Sequence, residues 1–222
     1  NQYAARLGMN ATNYIDASGL PNPNHYTTAR DIATLSRALI HDYPDEYKVY
    51  AIKDFEWNGI KQHNRNTLLW RDSTVDGIKT GHTSEAGFCL ATSALRGDQR
   101  LIAVVMGAPS EKARADDNQE LLNYGFQFYD AVQLYAKSQP VSNLKVWKGA
   151  QGTVKAGFAN DFTIAVPKGF EQRVTTELLP QQRLMAPISQ GQTIATLKVA
   201  VDGKPYGEYP VTALEEIPAA GA

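Results

Sequence analysis

The chain has 222 residues, of which 43% are apolar and 20% are charged, and its formal net charge is −1. This length allows one large domain or two ordinary ones, and the composition is that of a folded protein rather than a disordered one. The balanced charge excludes the basic footprint of a nucleic-acid-binding protein, so no nucleic-acid partner is expected. The single cysteine, Cys89, lies in an apolar run and is predicted to be a small buried side chain, not a nucleophile.

Helices are predicted at two places in the first part of the chain. A loop rich in Asn, Pro and Gly comes first, and Thr27 or Thr28 can then cap a helix over residues 28–41. Ser110 can cap a second helix over residues 110–128. The apolar face of this second helix is predicted to carry Ala113, Leu121 and Leu122.

Strands are predicted between these helices, over residues 48–57, 75–83, 86–95 and 100–106. The turn at residues 96–99 joins the last two of these strands into a hairpin. A helix that packs across an antiparallel sheet is therefore the expected arrangement.

The helical pattern ends near residue 129. Short strand-like runs follow over residues 132–135, 145–147, 162–166, 173–178, 193–201 and 209–211. The sequence therefore predicts an α+β fold. Residues 1–128 form an antiparallel sheet with packed helices, and residues 129–222 form a small all-β sandwich domain.

The residues with the clearest chemical potential lie in the predicted strand 75–83. Alternation along a strand places Lys79 and Gly81 on one face and Thr80 on the other. Lys79 supplies a positive charge near a reacting hydroxyl, Thr80 can donate to a carboxylate, and the backbone N–H of His82 can stabilise an oxyanion. Gly81 leaves room for a peptide to add at the sheet edge. An ordinary surface strand is the alternative at this point.

Lys79-Thr80-Gly81 is also the K-T-G tripeptide of serine penicillin-recognising enzymes. In its wider context the chain resembles the low-molecular-mass D-alanyl-D-alanine carboxypeptidases, which are serine peptidases and penicillin-binding proteins. The resemblance is carried by residues 7–9, 18–20, 28–38, 57–60, 64–70, 76–83 and 101–108. It is dense to about residue 128 and looser in the β-rich part, which resembles the second domain of that family.

The resemblance implies a carboxypeptidase that removes the terminal D-alanine of peptidoglycan stem peptides through an acyl-enzyme and is inhibited by β-lactam antibiotics. Lys79 would be its catalytic residue in this chain. Substrate would be bound by Lys79, Thr80, Gly81, His82, Arg65 and Arg114. Arg114 would hold the terminal carboxylate, because a guanidinium fork can bind it with two hydrogen bonds. No metal or organic cofactor is expected.

The nucleophile of that family lies in an S-x-x-K motif, and a second motif, S-x-N, supplies another serine. The sequence has no S-x-N, and its S-x-x-K string at residues 142–145 follows the K-T-G tripeptide instead of preceding it. Ser142 is therefore rejected as the nucleophile. We expect the nucleophile upstream of Asn1, on an N-terminal segment of the same protein that carries both motifs, and we expect the 222 residues alone to be inactive.

Two alternatives stay open. The first is a related enzyme, a D,D-endopeptidase or a β-lactamase, although the β-rich domain argues against both. The second is a non-catalytic scaffold that binds peptidoglycan. Members of the family are exported, so the expected location is the bacterial periplasm, peripheral to the inner membrane.

Overall fold

The computed structural model describes residues 1–221 and separates them into two units, Asn1–Gln127 and the residues from Phe128 onward. The first unit combines helices with antiparallel strands, and the second consists almost entirely of strands. The predicted α+β class is therefore confirmed. Within residues 1–221, no helix combines the length and the apolar character needed to cross a membrane.

The first unit contains five helices and five strands among the described residues. The helices are α1 (Gln2–Arg6), α2 (Ala29–Asp42), α3 (Pro44–Tyr47), α4 (Leu68–Arg71) and α5 (Glu111–Phe128). The strands are β1 (Asp54–Trp57), β2 (Ile60–His63), β3 (Val75–Thr83), β4 (Gly87–Arg96) and β5 (Gln99–Ala108). Strands β1 and β2 form a hairpin of their own, and the other three form an antiparallel sheet in the order β3-β4-β5.

The caps of the two long helices are those predicted. The Oγ1 atom of Thr28 accepts the backbone N–H of Asp31 at 3.2 Å, and the Oγ atom of Ser110 accepts that of Ala113 at 3.0 Å. Each bond satisfies one of the N–H groups that a helix leaves free at its start. Asp31 in turn accepts the hydroxyl of Thr12 at 2.6 Å, which fixes the preceding loop to α2.

The three-stranded sheet has a core on each face. On one face, Leu90 and Ala94 of β4 pack with Ala115 and Leu122 of α5. On the other face, a second cluster joins the sheet to α2 and to the segment after it, through Ala91, Ile78, Ile102, Tyr47, Ile32 and Leu39. The sheet therefore lies between helices. Among the described residues, β3 has β4 as its one neighbour and forms an edge of this sheet.

The strand predicted over residues 48–57 is wrong in its first half. Pro44–Tyr47 is helical, Lys48–Ala51 is a 3₁₀ turn, and the strand begins at Asp54. Side chains three residues apart lie on the same side of a 3₁₀ turn. Tyr47 and Tyr50 accordingly lie 5.8 Å apart between ring centroids, and both contact the core on the α2 face of the sheet.

The predicted apolar face of α5 is also partly wrong. Leu121 is exposed, whereas Arg114 and Asn118 are buried beside Ala115 and Leu122. The two polar side chains are accommodated because each has backbone carbonyl groups as partners, as described below. Hydrophobicity alone would not assign them to the buried face.

The second unit contains seven strands among the described residues. They are β6 (Tyr129–Tyr135), β7 (Pro140–Lys145), β8 (Thr153–Gly157), β9 (Phe162–Pro167), β10 (Val174–Pro180), β11 (Thr193–Val201) and β12 (Lys204–Ala213). Five form a sheet in the order β10-β11-β12-β8-β7, and β6 pairs with β9. One apolar core includes residues of both sheets, which is the packing of a β-sandwich. Strand β8 was not predicted.

Candidate active site

The K-T-G tripeptide lies in the exposed half of the edge strand β3. Lys79 pairs with Ala91, Thr80 with Leu90, and Gly81 with Cys89. Because paired residues share a face of the sheet, Lys79 and Gly81 lie on one face and Thr80 on the other, as the alternation predicts. Lys79 is exposed, and its ammonium group donates to the carbonyl of Thr80 at 2.7 Å.

Cys89 is half-buried rather than fully buried as predicted, because it lies on the same face as Gly81, with which it pairs.

The buried half of β3 is held at the carbonyl of Gly77. This oxygen accepts hydrogen bonds from Nδ2 of Asn66 at 2.9 Å and from Oγ1 of Thr92 at 2.7 Å, and both donors belong to buried residues. A Cβ atom at Gly77 would lie 2.5 Å from the hydroxyl of Tyr47, so a larger residue does not fit. The start of the strand is therefore fixed on both sides.

Tyr47 and Asp76 provide a further contact at this end of the strand. The hydroxyl of Tyr47 donates to Oδ1 of Asp76 at 2.9 Å, and Arg100 pairs with the same carboxylate at 2.8 Å. Burial raises the pKa of Tyr47 far above its usual value, and the charge of Asp76 raises it further. Tyr47 therefore stays protonated and keeps its donor role.

Arg114 reaches the tripeptide from α5. Its side chain is 3% exposed, and its guanidinium donates to the carbonyl of Gly81 at 3.3 Å and to the carboxylate of Glu111 at 3.4 Å. The same guanidinium lies 5.6 Å from the ring centroid of Phe88. The ring of His82 stacks on Phe88 with centroids 3.8 Å apart and planes 8° apart. The structure thus brings Arg114 and His82 together around Gly81 and Phe88.

Arg65 forms no hydrogen bond or ion pair with the tripeptide among the described residues. It is exposed in the loop before α4, and within residues 1–221 its side chain has no hydrogen bond or ion pair. Its neighbour Asn66 is the residue that bonds to Gly77 of β3. Arg65 therefore lies next to an anchor of the strand, and its role in binding stays a prediction.

Three residues that support the site were not singled out from the sequence. Phe88 could have been found, because a tight β3–β4 hairpin places it opposite His82. Asn66 lies in a segment that carried the family resemblance, but nothing in the sequence indicates that its side chain is buried. Asn118 of α5 donates to the carbonyl of Leu90 at 3.2 Å and to that of Arg114 at 2.8 Å, which ties the helix to β4.

Ser142 and Lys145, the S-x-x-K string, lie on strand β7 of the second unit. Residues three apart in a strand project from opposite faces, so these two side chains are not positioned to act as a nucleophile and its base. Within the described residues there is also no group of three His, Cys, Asp or Glu side chains placed to hold a metal ion.

Comparison with protein families identifies both parts of the chain. Residues 1–110 match the family model described as D-alanyl-D-alanine carboxypeptidase, and residues 129–219 match the model of the C-terminal domain of penicillin-binding protein 5. The chain belongs to the D-alanyl-D-alanine carboxypeptidase family.

Individual members of the family match over almost the whole chain. D-alanyl-D-alanine carboxypeptidase DacA of Escherichia coli K12 is 38% identical over 220 residues, which cover 98% of this chain and 55% of DacA. The crystal structure of penicillin-binding protein 5 from Haemophilus influenzae superposes with a TM-score of 0.81 at 38% identity, covering 98% of this chain and 64% of that one. The chain thus spans a little more than half the length of its curated relatives.

A third relative has been solved with an antibiotic. Penicillin-binding protein D2 from Listeria monocytogenes, in its cefotaxime-bound form, is 34% identical and superposes with a TM-score of 0.54. The match covers 57% of this chain and 53% of the Listeria chain.

Proposed function

We propose that these residues form one wall of the active site of a serine-type D-Ala-D-Ala carboxypeptidase, which removes the terminal D-alanine from peptidoglycan stem peptides. The observation that carries the proposal is the contact between Arg114 and the carbonyl of Gly81, on the edge strand that bears Lys79 and Thr80. A cationic fork and an exposed lysine next to an unpaired strand edge suit an extended peptide that ends in a carboxylate.

The stem peptide would lie along the free edge of β3. Thr80 and Arg114 would hold its terminal carboxylate, and Arg65 would add positive charge at the approach to the site. Gly81 suits this mode of binding, because the nearest atom to a Cβ at that position is 4.0 Å away, which leaves space beside the strand for a ligand.

The chemistry is acyl transfer through a serine ester. The serine oxygen bonds to the carbonyl carbon between the two D-alanines, and the peptide C–N bond breaks as the leaving nitrogen gains a proton. The backbone N–H of His82 would stabilise the oxyanion, and Lys79 would place its charge beside the serine hydroxyl. Water then cleaves the ester and releases the shortened peptide. A β-lactam would acylate the same serine, which is consistent with the cefotaxime-bound relative.

The serine itself would come from an N-terminal segment of the same protein that carries S-x-x-K and S-x-N. The placement of Ser142 and Lys145 on opposite faces of β7 supports this source. In this proposal residues 1–128 are part of the peptidase domain, residues 129–222 are a second domain, and the 222 residues alone are inactive. The protein would act in the periplasm, peripheral to the inner membrane.

The experiment that tests the function is an assay of three substrates with the protein at its full natural length. A carboxypeptidase releases D-alanine from diacetyl-L-Lys-D-Ala-D-Ala, an endopeptidase cleaves cross-linked muropeptide dimers, and a β-lactamase turns over benzylpenicillin. We expect the first activity to dominate and penicillin to inhibit it. A protein that binds peptidoglycan without cleaving any of the three substrates would be a scaffold and would contradict the proposal.

A further inference from the structure

The exposed side of the larger sheet in the second unit contains two adjoining hollows. Their volumes are about 410 and 360 Å³, and both are lined by Pro205 and Tyr206. One lies over β10, β11 and β12, and the other extends to Tyr129 and Phe170. We call the two hollows together the Tyr206 groove. Each has the volume of a small-ligand site, so the groove can hold a chain of at least two ring-sized units.

Tyr206 is held in the groove by an irregularity of β12. Val199 pairs with Gly207 and Ala200 pairs with Pro205, so Tyr206 is an extra residue in a β-bulge. Bulges re-aim side chains and are frequent at binding sites. The hydroxyl of Tyr206 donates to the carbonyl of Ala165 at 2.8 Å, although the residue is 42% exposed. The hydroxyl group of Tyr206 is therefore already hydrogen-bonded. The bond holds the ring in place, and the apolar part of the ring is exposed to solvent.

Small side chains form the floor of the groove, and polar side chains form one of its sides. The paired residues Thr175, Ala200 and Pro205 leave a shallow surface next to Tyr206. The next row of paired residues is Glu177, Lys198 and Glu208, in which Lys198 lies 3.6 Å from Glu208. This row presents both hydrogen-bond donors and acceptors. Three carboxylates and two lysines line the groove, which gives it a formal charge of −1.

We propose that the Tyr206 groove binds an uncharged chain of pyranose sugars. A pyranose ring has an apolar C–H face, which would pack on Tyr206, and polar edges, which would bond to the row formed by Glu177, Lys198 and Glu208. The proposal goes beyond the carboxypeptidase function and does not depend on it, because the groove lies within the second unit.

Two other ligand classes fit the groove less well. A peptide added as a strand needs a free edge, whereas the groove lies over the faces of β10, β11 and β12. Among the described residues, the free edge of β10 is on the side away from β11. The negative charge of the groove also disfavours a polyanion.

The test is calorimetric titration of the full natural-length protein with two uncharged pyranose chains, chitohexaose and cellohexaose. We expect saturable binding that Tyr206→Ala weakens about tenfold, which corresponds to about 1.4 kcal/mol, because the ring contact is lost. Tyr206→Phe keeps the ring and should keep most of the affinity. Trp147→Ala is the matched control, because Trp147 is an exposed aromatic residue of the same unit outside the groove.

The two probes also distinguish the class of sugar. Binding of chitohexaose without cellohexaose assigns the groove to N-acetylated sugars, and binding of both assigns it to pyranoses in general. The proposal is overturned if neither of the probes binds, or if Tyr206→Ala binds as tightly as the unchanged protein. It is also overturned if Trp147→Ala weakens binding as much as Tyr206→Ala does, with melting temperatures unchanged.

Discussion

Arg114 is more buried than its sequence position suggests, and its geometry still fits the role that we propose for it. From the sequence it is a charged residue at the start of a helix, whereas in the structure it is almost completely buried. Its guanidinium has five N–H donors, and Gly81 and Glu111 each accept one bond from it. In the proposed site the fork would hold the strand and keep three donors for a substrate carboxylate. A lysine with the same two bonds would keep one donor and could not bind a carboxylate through two hydrogen bonds.

A second residue, Asp72, allows a prediction of how the free energy of unfolding depends on pH. Burial alone would raise the pKa of its carboxyl group, but hydrogen bonds from Thr74, Gln119 and Arg96 lower this pKa far below its usual value. A carboxylate with a lowered folded-state pKa stabilises the fold above its unfolded pKa, about 3.9, and loses this contribution as the pH falls towards the folded-state value. Asp72→Asn should therefore lower the free energy of unfolding by about 1–3 kcal/mol at neutral pH.

Urea unfolding of Asp72→Asn and the unchanged protein, repeated from neutral pH down to about pH 2, measures this effect. The difference between the two should shrink as the solution becomes more acidic. A difference that stays constant over this range would mean that the charge of Asp72 does not stabilise the fold.

At the scale of the element, β3 was predicted over the residues it occupies, Val75–Thr83. The segment after α2 was not, because Val49, Tyr50 and Ala51 form a short apolar run that fits a strand as well as a 3₁₀ turn. The buried face of α5 depends on carbonyl partners in β3 and β4, which lie far away in the sequence. The position of Lys79 and Thr80 was therefore predictable from the strand, whereas Arg114 was named only through the family resemblance and its burial was not predicted.

The two glycines of β3 give a matched pair of substitutions. Gly77→Ala would place a methyl group 2.5 Å from the hydroxyl of Tyr47 and should lower the free energy of unfolding by about 1–3 kcal/mol. Gly81→Ala finds its nearest atom at 4.0 Å, so the protein should keep its melting temperature. The added methyl group would instead hinder the substrate and raise KM for the D-Ala-D-Ala peptide.

Thermal unfolding and steady-state kinetics on both variants distinguish these effects. Equal losses of stability would show that the contact with Tyr47 is not what requires glycine at position 77. An unchanged KM in Gly81→Ala would argue against binding of the peptide along this edge.

At the scale of the whole molecule, each unit has its own apolar core. The core of the second unit includes Val154, Val166, Ile194, Leu197 and Val211. Residues 129–222 expressed alone should therefore unfold in one cooperative transition, because a separate core is what allows a domain to fold independently. Circular dichroism with urea tests this. A gradual, non-cooperative loss of signal would contradict the division at residue 129.

Acylation of the full natural-length protein by a fluorescent penicillin tests the central claim, that the Lys79–Thr80–Gly81 strand forms a wall of the active site. Lys79→Met should slow the labelling by about 100-fold or more, because the charge beside the reacting serine is lost. Its melting temperature should not change, since Lys79 is exposed, and Lys61→Met on the exposed hairpin serves as the control. Labelling of Lys79→Met at the rate of the unchanged protein would contradict the claim.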